Sequence, residues 1–180
     1  MSAVAGRYAK ALFALAKESG ALQPTADQLG RAAAVASDPT VEPVLRSPLL
    51  SAARRRDLAE MLVRELKLPD LLARFVRLLA DHQRLAALPA IAERFQNLLD
   101  RDLGRVRITI RSARALDAKQ EQDIVATFAT LTGKQVIPMV AINSDLLGGV
   151  VVEAEGKVYD GSVRTHLDRL AKELIGTASR

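Results

Sequence analysis

The sequence predicts a mostly helical chain with a smaller α+β part: an amino-terminal six-helix bundle, then a small carboxy-terminal α+β domain. Three observations carry this reading. Six of the seven prolines precede Gly104, whereas seven of the ten glycines lie at or beyond it. Prolines among leucine and alanine punctuate consecutive helices, and glycines among β-branched residues mark turns between strands. Apolar residues recur at helical spacing before Gly104 and alternate after it. Finally, only six aromatics occur in 180 residues, so alanine, leucine and valine must fill the core, which favours close-packed helices. The boundary is placed at Gly104, giving parts 1–104 and 105–180.

Val4, Tyr8, Ala11, Leu12 and Leu15 share one face of a first helix, with Ser2 to cap it and Gly20 to stop it. A second helix runs from Leu22 to Ala36 and ends in Ser37-Asp38-Pro39; Pro39, Pro43 and Pro48 allow only a short third one. Ser51 can cap the fourth, with Leu58, Met61, Leu62 and Leu66 inward. Pro69 opens the fifth, striped with Leu71, Leu72, Phe75, Leu78 and Leu79. The sixth follows Arg84, tolerates Pro89 in its first turns, and buries Leu88, Ile91, Ala92, Phe95, Leu98 and Leu99.

Beyond Gly104 the period changes. Val106, Ile108 and Ile110 alternate with Arg107, Thr109 and Arg111, as in a half-buried strand. Asp117 and Gln120 have capping-box spacing at the start of a helix that turns Ile124, Val125, Phe128 and Leu131 inward. Val136 to Ile142 reads as a strand that Pro138 forces to an edge. Leu146 to Val152 reads as another, with a short strand over Lys157–Tyr159. Asp160-Gly161-Ser162 then turns into a last helix carrying Val163, Leu167, Leu170 and Leu174.

Composition removes several function classes. There is no cysteine, so no disulfide, thiolate nucleophile or thiolate-ligated metal. His82 and His166 are the only histidines, which excludes a multi-histidine metal centre. No apolar run approaches the ~20 residues of a membrane span, and the start lacks a signal-peptide core, so a soluble, cytoplasmic chain is expected. The net charge of +5 divides into +3 before Arg105 and +2 from it onward, a mild bias with no basic arm. Arg54-Arg55-Arg56 would point three ways on a helix, and Tyr8, Phe75, Phe95 and Phe128 are in phase with core leucines rather than free to stack on bases.

Catalytic motifs are equally thin. Thr132-Gly133-Lys134-Gln135 resembles part of a phosphate loop but has Phe128 where the first glycine belongs and Gln135 where Ser or Thr belongs. Gly148-Gly149 reads as a bulge or a close backbone approach. Asp160-Gly161-Ser162 reads as a turn and helix cap, although a helix start could hold an anion. No cofactor or metal is expected.

The strings Arg7-Tyr8-Ala9-Lys10-Ala11-Leu12-Phe13, Leu85-Ala86-Ala87-Leu88-Pro89, Leu146-Leu147-Gly148-Gly149-Val150-Val151-Val152 and Asp160-Gly161-Ser162-Val163-Arg164 occur in this order. Together they resemble the delta subunit of F-type ATP synthases, whose mitochondrial counterpart is the oligomycin-sensitivity-conferring protein. Asn143 stands where that family usually has Asp before the glycine pair. The resemblance implies a non-catalytic stator subunit that ties the catalytic hexamer to the peripheral stalk and resists rotor torque. It implies that the bundle receives amino-terminal helices of alpha subunits and that the α+β domain binds the carboxy-terminal ends of b subunits. It also implies a peripheral place on the cytoplasmic face of a bacterial plasma membrane, with no direct insertion. The partner-binding residues implied are Tyr8, Ala11, Leu12, Phe75 and Leu78 in the bundle, then Gly148, Gly149, Asp160, Gly161 and Ser162. Two other readings stand beside it: a helical nucleic-acid-binding adaptor, and a small enzyme using Asp160 and Ser162.

Overall fold

The computed structural model describes residues 2–47, 49–154 and 156–167. Among them the chain is mostly helical with one small four-stranded sheet. It divides into two compact units between Leu99 and Asp100, within the last turns of a helix; the change of period in the sequence comes slightly later, at Gly104.

The first unit contains α1 (Ser2–Glu18), α2 (Leu22–Ala36), α3 (Glu42–Arg46), α4 (Ala52–Glu65), α5 (Asp70–Asp81) and most of α6 (Leu88–Asp102), which a 3₁₀ turn at Leu85–Ala87 introduces. Ser51 caps α4 by accepting the Arg54 N–H at 3.3 Å. Phe95, Leu88, Ile91, Leu79 and Val76 are fully buried at the centre, each contributing ~1.5–3 kcal/mol of transfer free energy. Phe13 meets Phe95 edge-on at 5.5 Å. Arg77 and Glu60 form a two-point ion pair between α5 and α4, and Arg56 holds Asp81 at 2.7 Å. Both pairs are exposed and solvent-screened, so they fix the register of the two helices more than they stabilise them.

The structure decides how far each apolar stripe is covered. The buried stripe of α1 is Ala5, Ala9, Leu12 and Ala16, while Leu15 is 50 % exposed and Ala11 lies at the surface. Met61 on α4 is 58 % exposed, because Ala59 and Leu62 form the inward side of that helix. Leu78 on α5 is 45 % exposed beside a fully buried Leu79.

The second unit is built on the sheet order β2-β1-β3-β4, with β1 Arg105–Ser112, β2 Gln135–Ile142, β3 Gly149–Ala154 and β4 Lys157–Ser162. β1 runs parallel to β2 and antiparallel to β3, and β3 pairs antiparallel with β4. The parallel pair needs a crossover, which α7 (Ala118–Thr132) supplies. Asp117 and Gln120 close the capping box at 2.7 and 3.2 Å. Gly133 ends the helix at φ 65, a left-handed cap where a Cβ would be strained. Val106, Ile108 and Ile110 are buried in alternation, and Phe128 of α7 packs with Ile108, Ile110, Val152 and Ala154. Pro138 lies on the outer strand β2, where a missing donor is tolerated.

Here too the structure amends the reading. Leu131 is 61 % exposed, lying beyond the part of α7 that covers the sheet. The strand expected from Leu146 begins only at Gly149, because Asn143 organises a turn: its side chain accepts the Asp145 N–H at 3.0 Å and its carbonyl the Leu146 N–H at 3.2 Å. β4 extends through Asp160-Gly161-Ser162, which are strand rather than turn, and residues 163–167 are helical. Leu170 and Leu174 lie outside the described residues.

Candidate functional site

α1 carries two apolar stripes. One faces the core. The other, Val4, Tyr8, Ala11 and Leu15, follows the same i, i+4, i+7, i+11 spacing but is half-buried to exposed. Tyr8 sets its ring edge against Phe75 of α5, with centroids 6.2 Å apart and an interplanar angle of 74°. Phe75 is 8 % exposed and Leu78, one turn on, is 45 % exposed. Tyr8, Ala11, Phe75 and Leu78 therefore include surface positions on two helices joined by one ring contact. Leu12 does not join them: at 1 % exposure it points into the core, because its stripe is the inward one.

A cleft of about 410 Å³ adjoins this stripe, lined by Val4, Arg7, Tyr8, Ala11, His82 and Arg84. The turn after α5 forms one of its walls. Gln83 adopts φ 59, and the Arg84 N–H reaches back to the Leu79 carbonyl at 2.7 Å. Arg7, His82 and Arg84 are not among the residues the sequence assigns to partner binding; the available signal is the polar Asp81-His82-Gln83-Arg84 run that ends the α5 periodicity.

In the second unit, Gly148, Gly149, Asp160, Gly161 and Ser162 do come together. Gly149 has φ 81, and a Cβ there would stand 2.3 Å from the Gly161 carbonyl oxygen; one on Gly161 would stand 3.2 Å from that of Val150. The Val163 N–H bonds the Gly148 carbonyl at 3.0 Å. The glycines thus let the start of β3 close on the end of β4. Asp160 accepts the Ser162 N–H through Oδ1 and the Thr165 hydroxyl through Oδ2, each at 2.8 Å. Those bonds, the Ser162 N–H first, hold its carboxyl below the usual aspartate range. Ser162 is 3 % exposed; its Oγ accepts the Thr165 N–H at 3.3 Å and its hydroxyl faces Thr165 Oγ1 at 3.2 Å. Ser162 is thus a buried serine whose oxygen caps the helical turn through Thr165, the geometry of a cap rather than of a nucleophile presented to a substrate. Beside this junction lies an apolar hollow of about 510 Å³, floored by Ile124, Phe128, Val152 and Tyr159 and edged by Asp123 and Asp160. Phe128 and Tyr159 meet edge-on at 5.1 Å within it. Little in the sequence signals this hollow, because the strand pairing of Tyr159 with Val152 is what brings the two together.

Among the described residues no group of three or more His, Cys, Asp or Glu could hold a metal ion, and no helix is long and apolar enough to cross a membrane. The family model described as ATP synthase delta (OSCP) subunit matches residues 4–174. The chain belongs to that family. Delta subunits similar to it include that of Anaeromyxobacter dehalogenans, 41 % identical over 97 % of this chain and 98 % of the relative. That of Syntrophus aciditrophicus is 32 % identical over 98 % of each chain. Among solved structures, a chain of the Toxoplasma gondii mitochondrial ATP synthase hexamer superposes with a TM-score of 0.72 at 26 % identity, covering 95 % of this chain and 97 % of that one. As a member of the delta (OSCP) family the chain is a non-catalytic stator subunit of F-type ATP synthase, linking the catalytic hexamer to the peripheral stalk. The nucleic-acid adaptor reading finds no support in these relatives.

Proposed function

We propose that the amino-terminal helices act together as a six-helix bundle that receives the amino-terminal helices of alpha subunits, and that the α+β unit holds the carboxy-terminal ends of b subunits. The whole then sits peripherally at the cytoplasmic face of a bacterial plasma membrane. The observation that supports this best is the second apolar stripe of α1, Val4, Tyr8, Ala11 and Leu15, left at the surface beside Phe75 and Leu78. An amphipathic helix laid there would bury its i, i+3, i+4 and i+7 side chains, at ~25 cal/mol per Å² before ordering costs. In the other unit the Gly149–Gly161 contact shapes the surface offered to b, while Asp160 and Ser162 hold that shape.

The test uses the intact chain. Hydrogen exchange is followed with a peptide of the alpha amino terminus, and separately with a b carboxy-terminal peptide. The alpha peptide should protect α1 and α5 alone, and the b peptide only residues beyond Arg105. Exchanged footprints would reverse the assignment of partners.

A further inference from the structure

The α1–α5 cleft is one-signed. Its apolar floor is Val4, Tyr8 and Ala11, and its polar lining is Arg7, His82 and Arg84, with no carboxylate among the described residues. The nearest acidic neighbour in sequence, Asp81, pairs with Arg56 at 2.7 Å. Arg7 and Arg84 are exposed, and among the described residues neither guanidinium has a carboxylate partner. On α5 itself the arginines Arg74 and Arg77 are each paired. Arg7 and Arg84 instead line the same hollow, one carried there by α1 and the other by the tight turn after α5.

We infer that the occupant of this cleft is an amphipathic helix carrying a carboxylate on its apolar face, one helical turn from an apolar anchor, so that the anchor rests on Tyr8 and Ala11 while the carboxylate meets Arg84 and Arg7. This deepens the reading above and rests on it: the alpha amino-terminal helix is the occupant, and charge sets which way round it lies. Guanidinium groups are suited to such pairing because their forked donors match a carboxylate. The apolar floor supplies most of the affinity, whereas the arginines supply direction and association rate. A helix docked in the reverse direction would place apolar or basic groups over the arginines.

The experiment titrates the alpha amino-terminal peptide against the full-length chain, wild type and Arg84→Glu, at low and high salt. Charge reversal should lower affinity roughly 10- to 100-fold, and the neutral variant Arg84→Gln about 2- to 5-fold. A peptide with its facing Asp or Glu changed to Lys should bind Arg84→Glu better than the unchanged peptide does. Association to wild type should slow as salt rises, and the Arg84→Glu complex should lose that dependence. Thermal melts should be unmoved, since Arg84 is exposed and unpaired. If the peptide binds wild type but neither Arg84→Glu nor salt alters it, the charge assignment is overturned and the groove reading survives. Absence of peptide binding to wild type overturns both.

Discussion

Replacing Ala11 by Leu separates a docking surface from a core. Ala11 lies on the exposed stripe of α1 and lines the 410 Å³ cleft, whereas Ala9, about 200° around the helix, is fully buried. A larger side chain at Ala11 meets solvent, so Ala11→Leu should change stability by no more than ~0.5 kcal/mol, the range of ordinary surface substitutions. Ala9→Leu must displace packed neighbours and should cost ~1–3 kcal/mol. For a unit of this size each kcal/mol lowers the melting temperature by roughly 4–8 °C. Binding should respond in the opposite way. The new isobutyl group occupies space that the incoming helix needs, and losing one anchored side chain forfeits ~1.5–3 kcal/mol, or about 10- to 150-fold in affinity. The assay pairs circular-dichroism melts of both variants with calorimetric titration of the alpha peptide. If Ala11→Leu melts as low as Ala9→Leu and binds the peptide as tightly as wild type, Ala11 is core and the groove is misplaced.

Other perturbations follow from single geometries. Gly149→Ala, with φ 81 and a Cβ 2.3 Å from the Gly161 oxygen, should cost at least ~2 kcal/mol and lower the melt of the second unit; an unchanged melt would refute the close approach. Gln83→Gly should stabilise by roughly 1 kcal/mol, because a left-handed backbone penalises a Cβ, as denaturant midpoints would show; a loss of stability would mean the side chain has a role of its own. Asp160 has a depressed carboxyl pKa, so the stability it adds is present above the ordinary value of 3.8 and fades as pH falls through its lowered folded value. Melts of wild type and Asp160→Asn across that range should converge on the acid side. A gap that widens with acid would contradict the sign.

Much of the fold was legible because its signals were chemical. Asp117 with Gln120, Gly133 at a left-handed cap, Ser51 before α4 and Pro138 on an outer strand each name a backbone geometry that few residues satisfy. Phase was harder to read. On α1 the stripe of Ala5, Ala9, Leu12 and Ala16 and the stripe of Val4, Tyr8, Ala11 and Leu15 are both apolar, and the second contains the bulkier residues. Periodicity alone selects the bulkier stripe, but the neighbouring helices lie close enough that alanine is what fits. Met61 and Leu131 read as inward for the same reason: amphipathic spacing shows that a side exists, and only packing decides how far it is covered. The cleft cations were invisible because a turn, not a helix face, brings Arg84 beside Arg7.

The alanine interior of α1 has a mechanical consequence. A stator part is loaded and unloaded at every step of the rotor. Where a helix rests on leucine or methionine, side chains can rotate about their bonds and let the helix creep before the backbone bends. Ala5, Ala9 and Ala16 have no such torsions, and the methyl groups bring α1 close against its neighbours. Under the proposed docking, force on Tyr8 and Ala11 would therefore meet an α1 whose inner side offers few side-chain torsions to absorb it.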